Sequence, residues 1–178
     1  MADWQVAIPI RTGLTLTEMR GSDRDVLVEY LNDPEIYAST LRIPSPYKPS
    51  DAEKYLAILA ENSAKLGFPT NFAIRDVNGK LIGGCGFEGL VVGHRAEIGY
   101  WVARPFWGQG IATAVVRTAC EHAFAQWKLV RIAGLVFAFN PASARVLEKC
   151  GFEYEGLLRK HAQKMGQTYD CRAYALVK

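Results

Sequence analysis

The stretch Glu97 to Thr113, EIGYWVARPFWGQGIAT, decides the fold. It begins as a strand, passes through a glycine-containing turn and ends in residues that favour a helix. A helix that begins directly after such a turn points several backbone N–H groups, and the positive end of its dipole, toward one position. The stretch therefore predicts an anion-binding turn, and downstream Asn140-Pro141-Ala142-Ser143 predicts the start of a further helix.

The composition is that of an ordinary globular domain. The chain has 178 residues, of which 49% are hydrophobic and 22% are charged. This length is enough to bury a sizeable core in one domain. We therefore expect a single domain over residues 1–178, with residues 1–11 forming a flexible or peripheral N-terminal extension.

Charge and apolar patterning argue against several function classes. The net charge is only +3 and the basic residues form no cluster, so we expect no dedicated nucleic-acid binding. The N-terminus lacks a signal-peptide pattern, and no apolar run approaches the ~20 residues that span a bilayer. We expect a cytoplasmic protein that does not contact a membrane. The four cysteines stand singly, which favours reduced thiols and no metal site.

Periodicity predicts an α+β fold in which a mixed, mostly antiparallel central sheet is flanked by helices. Four helices are expected to begin near Ser22, Ser50, Gly110 and Asn140, the first two with capping boxes. Asn78-Gly79 between two apolar runs predicts a hairpin. Seven strands are expected, at residues 14–19, 72–76, 80–87, 96–102, 132–139, 152–158 and 172–177.

A proline-rich segment follows the first predicted helix. Four prolines fall between residues 34 and 49, which argues against a continuous helix. Isoleucines and tyrosines in the same segment argue against a solvated linker. Two roles stay open, a wall of a binding site and a loop that covers core.

Other phosphate-binding motifs do not fit the turn. A Walker-type P-loop requires Gly-Lys-Ser/Thr, and the chain has no lysine between Lys80 and Lys128. A dinucleotide fingerprint requires a third glycine where Thr113 stands, in a parallel unit, whereas the preceding strands are predicted to form a hairpin. A tight turn without a ligand is the remaining alternative.

Several local sequences, in one order along the chain, resemble the GNAT acetyltransferases. Within that superfamily they are similar to the ribosomal-protein-alanine N-acetyltransferases. The resemblance spans about residue 12 to the C-terminus and implies the GNAT acyl-CoA N-acyltransferase fold. It rests on Ile43-Pro44-Ser45-Pro46-Tyr47, Ala96-Glu97-Ile98-Gly99-Tyr100-Trp101, Trp107-Gly108-Gln109-Gly110-Ile111-Ala112-Thr113, Asn140-Pro141-Ala142-Ser143, Gly151-Phe152 and Gly156-Leu157-Leu158-Arg159.

The resemblance also implies a site for acetyl-CoA as cosubstrate, without a metal. Glu97 is implied as the general base, and a strand-edge carboxylate paired with an arginine is its alternative. Ser143 is our own candidate for the acid that protonates the departing thiolate. A thiol with a pKa near 8.5 that leaves without a dedicated acid is the alternative there. The family's usual glutamine or arginine before the phosphate turn is replaced by Trp107, and its usual tyrosine acid by Leu147. The resemblance implies that the strand ending near Val102 and the strand ending near Phe139 separate, and that the pantetheine arm pairs with the free backbone of residues 100–102. The implied cofactor-binding residues are Tyr100, Trp101, Val102, Gly108, Gln109, Gly110, Ile111, Ala112, Thr113, Asn140 and Ser143.

The expected reaction is attack of a primary amine on the thioester through a tetrahedral intermediate. An α-amine titrates near 8 and a lysine near 10.4, so an α-amine is easier to deprotonate. We therefore favour a protein or peptide N-terminus as acceptor. A small amine (a polyamine, amino acid or aminoglycoside) and a non-catalytic acetyl-CoA sensor stay open, as does the choice between monomer and homodimer.

Overall fold

The computed structural model of the chain describes residues 5–178. Two short 3₁₀ helices, Gly21–Asp23 and Arg104–Phe106, supplement the main elements. The main elements are β1 (Ala7–Arg11), β2 (Leu14–Glu18), α1 (Arg24–Leu31), α2 (Pro34–Ser39), α3 (Pro49–Leu66), β3 (Asn71–Arg75), β4 (Leu81–Val91), β5 (Arg95–Val102), α4 (Ile111–Trp127), β6 (Arg131–Phe137), α5 (Pro141–Lys149), β7 (Glu153–Lys164) and β8 (Gln167–Val177).

The described residues fall into two compact units. Unit 1 runs to Gly86 and includes Trp101–Ile111, and unit 2 comprises Phe87–Tyr100 and Ala112–Lys178. Strands β4 and β5 each contribute residues to both units. The expectation of a single domain stays a prediction.

Antiparallel pairing builds the sheet of unit 1. Strand β2 pairs with β1 and β3, and β3 pairs with the first part of β4. Leu16 and Ile74 face each other in this register and are fully buried. The predicted hairpin is confirmed, with Gly79 at a φ of +76°, which glycine adopts without a steric penalty.

Strand β1 is an element that the sequence pattern did not predict. It occupies the last five residues of the expected N-terminal extension and pairs with β2, while residues 1–4 lie outside the described residues. None of its residues is buried, and Pro9 stands inside it. An edge strand tolerates proline, so neither a buried alternation nor a clean composition marks it in the sequence.

Two helix starts in unit 1 use different capping residues from those predicted. The Asp23 carboxylate accepts a hydrogen bond from the Arg20 N–H at 2.8 Å, and the Asp51 carboxylate accepts one from the Lys48 N–H at 2.8 Å. The predicted capping boxes used Asp25 and Glu53 as their acidic residues. In the structure Asp23 and Asp51 have that role instead. Helix α3 ends at Leu66, and Gly67 follows it with a φ of +80°, the left-handed conformation that commonly ends a helix.

The proline-rich segment contains a short helix, α2, which its proline content had argued against. Pro34 occupies the first helical position, where a missing N–H costs nothing, and Asp33 Oδ1 accepts a hydrogen bond from the Glu35 N–H at 2.8 Å. Ile36 and Tyr47 are both buried in a hydrophobic cluster of unit 1. This part of the segment therefore covers core.

Unit 1 contains a buried ion pair between Arg75 and Asp23. Arg75 donates from both terminal nitrogens to the Asp23 carboxylate, at 2.9 and 2.8 Å, and from Nε to Thr17 Oγ1 at 2.7 Å. Both charged side chains are only 6% exposed. The pair ties the start of α1 to β3, and its hydrogen bonds offset the cost of removing both charges from water.

In unit 2 the strand order is β5-β6-β8-β7. Strand β6 pairs in parallel with β5 and antiparallel with β8, and β7 pairs antiparallel with β8. Buried and half-buried residues alternate along most of β6, although its sequence is almost entirely apolar. Val115 and Ala119 are buried on α4.

The C-terminal hairpin is longer than predicted. Strands β7 and β8 extend toward each other until only the two-residue turn Met165-Gly166 separates them. The polar residues between the two predicted strands therefore belong to the ladder. Most of the outer part of β7 is exposed, which explains why its sequence lacks an apolar pattern.

Two kinds of feature are absent from residues 5–178. No helix there is long and apolar enough to cross a membrane. In the same residues, no group of three or more His, Cys, Asp or Glu side chains could hold a metal ion.

Candidate active site

The glycine turn has the backbone geometry expected of an anion cradle. Gly108 and Gly110 have φ values of +73° and +71°, a left-handed conformation that side chains with a Cβ rarely adopt. No heavy atom lies within 4 Å of the position where either would carry a Cβ. Helix α4 begins at Ile111, so the turn leads directly to the positive end of its dipole.

Trp107 holds the beginning of this turn. Its indole Nε1 donates a hydrogen bond to the Val102 carbonyl at 2.6 Å, although the residue is 44% exposed. The Val102 carbonyl therefore already has a side-chain partner, which limits the expectation that the backbone of residues 100–102 pairs with the cosubstrate. The tryptophan that replaces the family's usual glutamine or arginine has a structural role in unit 1.

Arg11, at the end of β1, contacts the same turn. Its Nη2 donates a hydrogen bond to the Gln109 carbonyl at 3.1 Å. Because the peptide unit is planar and trans, the N–H of Gly110 points away from the Gln109 carbonyl and hence away from Arg11. Arg11 thus restrains the orientation of one N–H group of the glycine turn. Nothing in the sequence signals a contact between residues so far apart.

Strands β5 and β6 pair over only three residues. The register runs from Arg95 opposite Arg131 to Glu97 opposite Ala133, although β5 continues to Val102. Pairing thus stops at the residue that the sequence singled out as a base. The family resemblance implied that these strands separate toward their ends at Val102 and Phe139, and the register agrees with that expectation.

Ser143 lies in a small cluster at the start of α5. Asn140 is the N-cap residue, as predicted, and its Oδ1 accepts a hydrogen bond from the Ser143 N–H at 3.1 Å. The Tyr100 hydroxyl lies 2.8 Å from Ser143 Oγ and also donates to the Ser143 carbonyl at 3.3 Å. All three residues are half-buried. The structure therefore brings Tyr100, Asn140 and Ser143 together.

The role of the Tyr100 side chain was missed in the sequence. The resemblance implies a role for the backbone of Tyr100, as part of a strand that pairs with the cosubstrate, and none for its side chain. Strand alternation puts the side chains of Tyr100 and Ile98 on one face of β5 and that of Glu97 on the other. That alternation was the one available signal, but it does not say which helix lies opposite.

Glu97 is half-buried on β5. It lies within electrostatic range of Cys171 on β8. Burial raises the pKa of the Cys171 thiol, and the charges of Asp170 and Glu97 raise it further. Glu97 and Tyr100 are three positions apart on the strand, so the structure does not gather the Glu97 carboxylate and the Ser143 cluster on one face.

Leu147 near the end of α5 and Cys150 directly after it make packing and hydrogen-bond contacts within unit 2. Leu147 is buried, and a Cβ on Gly134 of β6 would lie only 2.8 Å from its Cδ1. Leu147, at the place of the family's usual tyrosine, is thus a core residue. Half-buried Cys150 donates from Sγ to the Thr113 carbonyl at 3.3 Å, which joins the end of α5 to the first turn of α4.

Comparison with known proteins identifies the family. A family model described as an acetyltransferase (GNAT) domain matches residues 13–153. The chain is 32% identical to the uncharacterized N-acetyltransferase p20 of Bacillus licheniformis, and the match covers 93% of each protein. It is 30% identical to the putative ribosomal N-acetyltransferase YdaF of Bacillus subtilis, over 74% of this chain and 88% of YdaF.

A second B. subtilis protein, the uncharacterized N-acetyltransferase YoaA, is 41% identical. That match spans only 56% of YoaA and 56% of this chain. Among solved structures, RimL, a ribosomal L7/L12 alpha-N-protein acetyltransferase in complex with coenzyme A, superimposes with a TM-score of 0.87. It is 22% identical, and the match covers 97% of this chain and 98% of RimL.

The structural match shows a shared fold, a mixed sheet of eight strands flanked by helices, and confirms the predicted fold class. The family model covers most of the chain, including the glycine turn and the Ser143 cluster. The predicted resemblance is therefore confirmed at the level of the family. The chain belongs to the GNAT acetyltransferases.

Proposed function

We propose that this protein transfers the acetyl group of acetyl-CoA to the α-amine of a protein or peptide N-terminus. The observation that carries the proposal is the glycine turn, whose left-handed Gly108 and Gly110 lead into α4. The family match supports acetyl transfer as the reaction. The names of YdaF and RimL support a ribosomal or other protein N-terminus as the acceptor class.

The residues of the turn fit a pyrophosphate. The space beside both glycines is open, and the turn precedes a helix of 17 residues, so its N–H groups and the helix dipole favour an anion there. We infer that Gly108, Gln109, Gly110, Ile111, Ala112 and Thr113 bind the diphosphate. Tyr100, Trp101, Val102, Asn140 and Ser143 would contact the pantetheine arm and its thiol end.

When bound, acetyl-CoA supplies an activated acyl group on a thiol leaving group. Glu97 would take the proton of the attacking nitrogen, directly or through water. Backbone N–H groups between Tyr100 and Val102 would stabilise the negative charge that develops on the acyl oxygen. Ser143 would give its proton to the departing sulfur.

An N-terminal α-amine suits a site with a single candidate carboxylate base. Deprotonating a lysine at pH 7 costs about 3 kcal/mol more than deprotonating an α-amine, since their ordinary pKa values differ by about 2.4 units. A small polar amine with a similarly high pKa shares this disadvantage. The α-amine of a peptide is therefore the acceptor that needs the least assistance.

An acceptor screen tests the proposal. Purified protein is given acetyl-CoA with peptides that begin in alanine or serine, and thiol release is followed over time. The matched control is the same peptide with a blocked N-terminus and an internal lysine, and polyamines, free amino acids and aminoglycosides complete the panel. Release with the free peptides alone, and fragment ions that carry the acetyl group on the α-amine, are expected.

Two outcomes contradict the proposal. Preference for a polyamine, an amino acid or an aminoglycoside would reassign the acceptor class. Tight CoA binding without thiol release from any acceptor would favour an acetyl-CoA sensor. The variant Glu97→Gln tests the base separately, and we expect it to lower kcat by about 100-fold or more while CoA still binds.

A further inference from the structure

A pair of hydroxyl groups joins β5 to the start of α5. The Tyr100 Oη and Ser143 Oγ atoms are 2.8 Å apart, a normal distance for an O–H···O hydrogen bond. The backbone of Ser143 is held as well, because its N–H donates a hydrogen bond to Oδ1 of the N-cap residue Asn140 at 3.1 Å. The serine hydroxyl therefore has a fixed backbone and a fixed phenol neighbour.

Ser143 alone is a poor source of a proton for a thiolate. An aliphatic hydroxyl is a much weaker acid than a thiol, which ionises near 8.5. The proton would therefore have to move from the weaker acid to the conjugate base of the stronger one. A phenol ionises near 10, so the same transfer from a tyrosine opposes a difference of only ~1.5 units.

We propose that Tyr100 positions Ser143 and replenishes its proton during acetyl transfer. This inference rests on the proposed function, in which Ser143 faces the leaving sulfur. The phenol has one proton, and two Ser143 oxygens lie within its reach, Oγ at 2.8 Å and the carbonyl at 3.3 Å. The proposal requires that proton to lie on the nearer atom, Oγ, so that the serine O–H points toward the sulfur. Tyr100 acts through Ser143 and is therefore a positioning residue.

The proton and electron balance of the step is closed. The nitrogen forms a bond to the acyl carbon and loses one proton to Glu97. The carbon–sulfur bond breaks, and the sulfur keeps the bonding pair. The sulfur takes the proton of Ser143 Oγ, and Ser143 Oγ takes the proton of Tyr100 Oη. Glu97 has gained one proton and Tyr100 has lost one, so exchange with water restores both.

The position of Leu147 agrees with this assignment. Leu147 is buried against Gly134, so α5 presents no phenol at that residue. The hydroxyl that meets Ser143 comes instead from β5, the strand that also carries Glu97. Strand β5 would thus carry the general base Glu97 on one face and the proton donor Tyr100 on the other.

The test compares Tyr100→Phe, Ser143→Ala and the double variant in thiol release from acetyl-CoA. Tyr100→Phe removes only the hydroxyl and should lower kcat by at least ~tenfold. The dissociation constant for CoA should stay within about twofold. The double variant should be no slower than Ser143→Ala, because the two residues act in series.

A pH profile separates a proton role from a structural one. The kcat of the wild-type protein should fall at alkaline pH as the hydroxyl pair loses its proton, and Tyr100→Phe should lack this fall. The matched control is Tyr169→Phe, which also removes a tyrosine hydroxyl bonded to a side chain, Gln167 Oε1 at 2.8 Å. It should leave kcat and the profile unchanged, and thermal unfolding checks that all variants fold.

Each result has one meaning. If the wild-type protein releases no thiol with any acceptor, the proposed function fails. If the wild-type protein turns over and Tyr100→Phe keeps its kcat and its alkaline fall, the relay is wrong and the proposed function stands. Additive losses in the double variant, or a loss confined to CoA affinity, would also overturn the relay.

Discussion

Replacing Gly110 by valine tests whether the turn binds CoA through its backbone. Gly110 has a φ of +71° and open space around the position of a Cβ, so the substitution creates strain without a clash. Keeping a residue other than glycine in the left-handed region costs about 1–2 kcal/mol, and a β-branched one costs more. Rotating φ to a negative value relieves the strain but turns N–H groups of the turn away from the anion.

The size of the effect follows from the bond at stake. A hydrogen bond from a backbone N–H to a charged group contributes about 1.5–3 kcal/mol. Losing one at the diphosphate should therefore weaken CoA binding by roughly tenfold to 150-fold, since each 1.4 kcal/mol is a factor of ten. Gly110→Ala should give a smaller loss, because alanine enters the left-handed region more readily than valine does.

Gly93 provides the matched control. It has a φ of +78°, and no heavy atom lies within 4 Å of its Cβ position, but it belongs to the turn between β4 and β5. Gly93→Val should lower the midpoint of thermal unfolding about as much as Gly110→Val does and leave the CoA affinity unchanged. Calorimetric titration with CoA measures the affinities. Unchanged affinity in Gly110→Val, or an equal loss in Gly93→Val, would refute the assignment of the cradle.

Three further variants test the scaffold and its contacts. Asp23→Asn leaves the buried Arg75 guanidinium without its charged partner. It should lower the free energy of unfolding by about 3–5 kcal/mol in urea titrations. The control Asp25→Asn changes a carboxylate that is 81% exposed and should alter this free energy little. Arg11→Met removes the hydrogen bond to the glycine turn and should weaken CoA binding by about threefold to tenfold in calorimetry; an unchanged affinity would show that the turn holds its shape alone. Burial lowers the pKa of His122, so the unfolded chain binds a proton at higher pH than the folded one does. Its stabilising contribution is complete above about pH 6.5 and is lost as the pH falls through the lowered pKa; urea titrations at pH 8 and pH 5 should show this loss in the wild-type protein and less of it in His122→Gln.

The parts of the site that the sequence predicted depend on neighbouring residues in the chain. A glycine turn before a helix and an asparagine-proline helix start each act within a few residues, and the structure has both where the sequence predicted them. The Asn78-Gly79 hairpin is local in the same sense. Such features need no knowledge of tertiary packing.

The parts that the sequence did not predict depend on contacts between distant residues. Arg11 and Gln109 are 98 positions apart, and Tyr100 and Ser143 are 43 positions apart. Strand β1 lacks an apolar pattern because it is an edge strand with no buried residue. Helix α2 was missed because a proline that breaks a helix interior is favoured at its first position.

Side chains bind two carbonyl groups at the glycine turn, one just ahead of it and one within it. Trp107 donates to the Val102 carbonyl ahead of the turn, and Arg11 donates to the Gln109 carbonyl within it. Each bond restricts a peptide plane before any anion is present, and the plane held by Arg11 sets the direction of the Gly110 N–H. Because glycine has more backbone freedom than any other residue, ordering an unsupported turn around the proposed anion would cost a large amount of backbone entropy. The bonds from Trp107 and Arg11 to these carbonyl groups lower that entropy loss. They do so from outside the space in which the anion is proposed to bind.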